Sequence, residues 1–369
     1  MSPPRSLGHR RSFDGLRGVA WAMVFVAHAT WLPRYAVGPV AMDVFFALSG
    51  FLIASQIVGE QARTGAVRLG GFYRRRAWRL LPALCAMLAV WFLVSLLFAD
   101  AHWITSVPGG GPGSGIGPWT SVESVAAALC YATNWLTAFP GLRLWVGYSP
   151  LGHLWSLSVQ EQFYVLWVPL MVLLLVNARR WVVPVTLAVV GLSLSEGIVL
   201  LRDGASSNWI YMGTDTRAAS LLLGCVLAVW WVEGRTAWIG RTAPGFAVTA
   251  AAVGALLWCL RGYHSPPSST RHLVAWVLAT MAGGAAVVAI AEWSRGWLAR
   301  LLAVPVVVYV GTRSYALYLW HYVWLTWFRS LGSTGTLLAL VASLASAEVS
   351  WRLIESRALA RSRGRPAVV

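Results

Sequence analysis

Residues 273–291 read Leu-Val-Ala-Trp-Val-Leu-Ala-Thr-Met-Ala-Gly-Gly-Ala-Ala-Val-Val-Ala-Ile-Ala, without a single charge. As a helix rising about 1.5 Å per residue, this stretch covers roughly the ~30 Å hydrocarbon core of a bilayer. It is one of ten such stretches. Windows of about 20 residues place apolar spans at 17–33, 38–58, 77–98, 154–175, 181–201, 216–232, 245–261, 273–291, 313–328 and 334–353. A further apolar run, 301–311, is too short to cross alone; it is re-entrant or lengthens the ninth span. The fold class is therefore an all-α integral membrane protein with about ten transmembrane helices.

Composition says the same. Of 369 residues, 58% are hydrophobic and only 11% charged, against roughly 25% charged in a soluble domain. The net charge of +16 comes from arginine alone, since the chain contains no lysine. Those arginines sit at the ends of apolar segments, which is the signature of topology and not of nucleic-acid binding. With the N-terminus inside, arginines such as Arg5, Arg10, Arg11, Arg63, Arg74, Arg179, Arg235, Arg300 and Arg361 are cytoplasmic. Few are left outside, among them Arg34, Arg143, Arg202 and Arg271. Both termini are expected in the cytoplasm.

The longest connection, about 99–153, then lies outside. Its run from Pro108 to Gly117 is a flexible linker and not a phosphate loop, because no strand precedes it and no lysine follows. Val122 to Phe139 reads as a helix on, or dipping into, the outer surface. The cysteines Cys85, Cys130, Cys225 and Cys259 show no metal spacing; the three within spans read as small buried hydrophobes. The first span shows no cleavage site and reads as retained.

Polar residues inside such spans are costly, so each is a functional candidate. In the first span His28 follows Arg17 by eleven positions, about 16 Å along one helix. An arginine at the mouth suits the phosphates of a CoA-like donor. A histidine that far in suits its thioester, because imidazole takes a hydroxyl proton near neutral pH. The bland alternative for His28 is a hydrogen bond to a neighbouring helix. Asp43, in the second span, is placed to pair with an arginine or to orient His28. Ser49 and Gly50 read as close helix packing. The run Tyr73-Arg74-Arg75-Arg76-Ala77-Trp78-Arg79 puts Arg76 and Arg79 on one helix face. It is a cytoplasmic anchor or a phosphate clamp. His153, Ser156 and Glu161 crowd the entrance of the fourth span. Asp215 and Arg217 read as an ion pair, and His321 and Glu348 are further candidates.

Together these segments resemble the bacterial acyltransferase family 3, membrane O-acyltransferases of glycans and natural products. The likeness is carried by Phe13-Asp14-Gly15-Leu16-Arg17-Gly18 with His28, Met42 to Ile53, Phe72 to Arg76 with Arg79-Leu80-Leu81-Pro82, and Leu151 to Ser158. It continues through Glu161-Gln162-Phe163-Tyr164, Thr214-Asp215-Thr216-Arg217, Ser314-Tyr315 with Leu319-Trp320-His321, and Ile354-Glu355. These occur in family order over nearly the whole chain. The resemblance implies that Arg17 and His28 are required for transfer and that Arg76 and Arg79 lie near a cytoplasmic donor. It also implies a ten-span domain; the chain reads as a single membrane domain, 1–369, and, with 14 residues after Glu355, is expected to lack the C-terminal hydrolase-like domain of some members. Gln160 and Ala219 stand where the family usually carries acidic residues.

The expected activity is that of an acyl-CoA-dependent O-acyltransferase in the bacterial cytoplasmic membrane. It moves an acetyl or short-chain acyl group to a hydroxyl of a sugar-containing acceptor, either a glycosylated natural product such as a macrolide or an envelope glycan. His28 acts as base on the acceptor hydroxyl or transiently accepts the acyl group, with Arg17, Asp43 and Glu161 as catalytic partners. Arg75, Arg76, Arg79 and Tyr73 bind the donor. His153, Ser156, Asp215, Arg217 and His321 orient the substrates. The partners are the bilayer, acyl-CoA and the acceptor, with no metal and no nucleic acid. The rival reading is a non-catalytic transporter or acyl-donor carrier, which would favour inverted repeats that the chain lacks.

Overall fold

The computed structural model describes residues 5, 7–29, 34–97, 118–138, 151–262 and 269–362. The glycine-rich run, Arg143 and the predicted end of the first span (30–33) lie outside the described residues. Within them every regular element is helical, with no strand. Eight helices are long and apolar enough to cross a membrane: Val37–Thr64, Leu69–Leu97, Gly152–Asn177, Arg179–Arg202, Asn208–Val232, Thr242–Gly262, Thr270–Glu292 and Arg329–Arg361. The chain is an all-α, multi-pass membrane protein.

Two predicted spans are not in this set among the described residues, for separate reasons. The first is a helix, α1 (Arg11–His28), but its 18 residues hold Arg11, Asp14 and Arg17. The ninth, α14, covers only Ser314–Trp327, about 21 Å of rise. The apolar run before it is a separate helix, α13 (Pro305–Thr312), and the two are broken at Arg313.

Contacts among the helices divide the chain into two compact units. The first holds α1 up to Ala27 and α2 (Arg34–Thr64), then the chain from Val159 to Thr312. That stretch contains most of α6 (Trp155–Asn177), α7 (Val182–Arg202), α8 (Ser207–Met212) and α9 (Thr214–Val232), followed by α10 (Thr242–Gly262), α11 (Thr270–Glu292), α12 (Trp297–Leu302) and α13. Here α2, α9 and α11 pack on one another, α7 lies on α9, and α10 on α11. Close approach is made with small residues, as expected where lipid removes the hydrophobic drive between helices. A Cβ on Gly50 would collide with the Leu221 carbonyl, and one on Gly224 with that of Ala47. These reciprocal glycines let α2 and α9 touch backbone to backbone. Gly50 thus serves the packing expected of it.

The second unit begins at His28 and holds α3 (Leu69–Leu97), α4 (Pro118–Leu129), α5 (Thr133–Ala138) and the 3₁₀ turn Gly152–Leu154. It continues with the first residues of α6, then α14, α15 (Gly332–Ser350), a π-helical turn Trp351–Glu355 and α16 (Ser356–Ser362). Its core joins Leu84, Met87 and Trp91 of α3 to Leu151, Leu154 and Leu157, and to Leu319, Val323 and Trp327 of α14. The outer-surface helix predicted over 122–139 is instead two helices hinged at Tyr131, whose φ of 51° is left-handed. Its hydroxyls at Ser121, Ser124 and Thr133 are buried, and α4 packs on α3.

Outward faces carry the bulky apolar side chains, with Leu166 69% and Leu192 70% exposed. In water such a surface would be a liability; in lipid it is the solvated face. The same inversion corrects the cysteine reading. Cys225 and Cys259 are buried as expected, but Cys85 is exposed on α3, as is Cys130 after α4.

Candidate active site

In the second unit, α14 sets Tyr318, His321 and Tyr322 at i, i+3 and i+4, hence along one helix face. Two other elements bring histidines to that face. His28 is the last residue of α1, and His153 sits in the 3₁₀ turn that opens α6. His321 is fully buried and His153 nearly so.

The hydrogen bonds assign the protons. His321 Nδ1 lies 2.8 Å from the Tyr318 carbonyl, which only accepts, so Nδ1 carries the hydrogen. A neutral His321 therefore offers a lone pair at Nε2. That atom lies 3.0 Å from His28 Nδ1, which must donate to it. In a neutral His28 the lone pair is then on Nε2, in a ring oriented by a second histidine and a carbonyl. His153 Nε2 donates to the Leu319 carbonyl at 3.2 Å. Its ring stacks on Tyr322 at 5.1 Å between centroids, and Tyr322 meets His28 edge-on at 4.9 Å. Tyr318 OH donates to the His153 carbonyl and accepts from Ser156 Oγ at 2.8 Å.

His28, His153, His321 and Ser156, separately singled out along the sequence, are thus brought together. Tyr318 and Tyr322 were missed. The available signal was their position one turn before and one residue after His321, with a hydroxyl on each ring. Among the described residues, no three His, Cys, Asp or Glu side chains converge to hold a metal ion.

Arg17 lies in the first unit, where its Nη1 donates to Asp14 Oδ1 at 2.9 Å, one turn back on α1. A close backbone packing fixes this turn of α1: Gly311 of α13 leaves no room for a Cβ against the Asp14 carbonyl.

Asp43 is completely buried in the first unit and faces Arg217, also buried, at 3.5 Å. Ser220 Oγ donates to Asp43 at 2.5 Å and Thr280 Oγ1 at 3.4 Å. The Arg217 guanidinium lies over Tyr211 at 5.3 Å. The arginine pairing expected for Asp43 is formed. The expected Asp215–Arg217 pair is not. Residues two apart leave a helix on different sides, and Asp215 instead accepts from Trp209 Nε1 at 2.9 Å and the Thr216 amide at 2.8 Å. Glu161 is half-buried on α6. Its neighbour Gln160 is buried and donates to Ser49 Oγ at 2.7 Å, tying α6 to α2.

The predicted donor residues occupy the N-terminal turns of α3. Tyr73 and Arg76 are half-buried, while Arg75 and Arg79 are exposed. Tyr73 packs edge-on against Phe72, and Arg79 lies within electrostatic reach of Glu355.

A family model described as an acyltransferase domain matches residues 10–351. The chain is similar to O-acetyltransferase OatA of Staphylococcus aureus strain NCTC 8325 / PS 47, at 29% identity over 359 residues, 93% of this chain and 56% of the relative. It is also similar to a protein of strain MSSA476, provisionally named O-acetyltransferase SAS0844, at 27% identity over 372 residues, 95% of this chain and 58% of the relative. The chain thus spans little more than half the length of these relatives. No solved structure matches it.

Proposed function

The chain belongs to acyltransferase family 3, and we propose on that premise that it is a membrane O-acyltransferase using acyl-CoA. The transferred group is acetyl or a short acyl chain. The acceptor is a hydroxyl of a sugar-containing molecule, a glycosylated natural product such as a macrolide or an envelope glycan. The enzyme sits in the bacterial cytoplasmic membrane with both termini inside, as the arginine distribution favours.

The observation that supports this reading best is the relay from His28 through His321 to the Tyr318 carbonyl. It presents His28 Nε2 as a lone pair in a partly desolvated site. The acceptor O–H gives its proton to Nε2 while the oxygen attacks the thioester carbonyl. Collapse of the tetrahedral intermediate breaks the C–S bond, and the imidazolium returns the proton to the departing thiolate. His321 receives a hydrogen bond from the ring that becomes positive, an orienting role like that of the third member of a catalytic triad. The α3 arginines supply cations for the donor's phosphates.

The test is acetyl transfer from labelled acetyl-CoA in membranes containing the full chain. His28→Ala should fold, by size-exclusion and thermal unfolding, yet lose at least about 10²-fold in transfer. A folded variant with wild-type transfer would remove His28 from the mechanism. Labelled donor that crosses the membrane with no ester formed would favour a carrier.

A further inference from the structure

Arginine and carboxylate side chains that the relay does not use gather at one end of the second unit. The joint between α13 and α14 is Arg313, whose Nε contacts Glu348 Oε2 at 2.5 Å while its guanidinium lies over the Trp351 ring at 5.4 Å. Glu348 also holds Arg352 at 2.6 Å. Tyr315, two residues after Arg313, donates to the carbonyl of Leu80, the residue after Arg79, at 2.9 Å. That bond seats the start of α14 beside Arg79. Glu355 feels both Arg79 and Arg313 and accepts from Ser350 at 3.1 Å. Trp351 and Glu355 are the two ends of the π-helical turn, a distortion frequent at functional sites.

Three arginines here face two carboxylates. The geometry points to Arg313 as a binding residue for the phosphates of the CoA donor, acting with Arg79; this rests on the acyl-CoA reading above. Glu348 and Glu355 stand where the donor's phosphate oxygens would be recognised. Arg313 can turn to a phosphate without orphaning Glu348, because Arg352 remains on that carboxylate. The reach also fits. His321 lies eight residues further along α14, about 12 Å of rise. A pantetheine arm anchored at Arg313 therefore extends towards the histidines.

The experiment is calorimetric titration of the detergent-solubilised full chain with coenzyme A and with pantetheine, which lacks the phosphates. Arg313→Ala should weaken coenzyme A binding about tenfold or more, as expected for a lost charge-assisted bond, and change pantetheine binding far less. Arg313→Lys should fall between, since it keeps the charge but not the fork. Glu348→Gln should tighten coenzyme A binding by removing the competing anion. Unchanged coenzyme A binding in Arg313→Ala, or an equal loss for both ligands, would overturn the assignment alone. A wild-type chain that binds no coenzyme A would overturn the donor reading together with it.

Discussion

His28 and His321, 293 residues apart in sequence, stand with ring nitrogens 3.0 Å apart. Because the Tyr318 carbonyl claims the His321 Nδ1 hydrogen, a neutral His321 accepts from His28 Nδ1, and the lone pair of a neutral His28 is on Nε2. A base in a triad-like site normally leans on a carboxylate; in the proposed mechanism His28 leans on a second imidazole. In that mechanism His321 acts through His28 without touching the reacting atoms.

His321→Ala should leave the affinity for coenzyme A near wild type while lowering kcat by about 10²-fold, the scale of a misoriented catalytic group. His321→Gln, whose side-chain oxygen accepts from His28 Nδ1, should recover part of the rate. Steady-state kinetics in membranes would separate kcat from KM. A rise in donor KM with kcat unchanged would place His321 in binding instead.

The buried pair Asp43–Arg217 makes a prediction about stability. Removing one partner leaves an unpaired charge in an apolar interior, at about 3–5 kcal/mol. Asp43→Asn and Arg217→Met should each lower the thermal midpoint of the detergent-solubilised protein markedly. The double variant should lose less than the sum, with a coupling of roughly 1–3 kcal/mol. Additive losses would mean that the two charges do not support each other.

Cys130 is exposed at the end of α4 and tests the orientation. In a Cys85→Ser background, a membrane-impermeant maleimide added to intact cells should label Cys130 and spare the buried Cys225 and Cys259. Labelling that appears only after the cells are opened would reverse the topology.

Much of this protein was legible from local sequence. The apolar run 273–291 is helix α11 because a bilayer leaves backbone groups no partner except their own helix. His28, His153 and His321 were candidates because an ionisable group in such a run is costly. Tertiary structure decided what local sequence does not carry. The first predicted span, 17–33, runs past the described end of α1, and the ninth, 313–328, holds a helix of only 14 residues, so eight helices among the described residues qualify by length and composition beside ten predicted spans. Asp215 looked like the partner of Arg217 because it is near in sequence. The partner is Asp43, 174 positions earlier, because α2 and α9 meet at Gly50 and Gly224 and bring those faces together. Which histidine donates to which depends on a carbonyl of α14. Span and composition follow from the solvent each residue must face; pairing and proton placement follow from which helices touch.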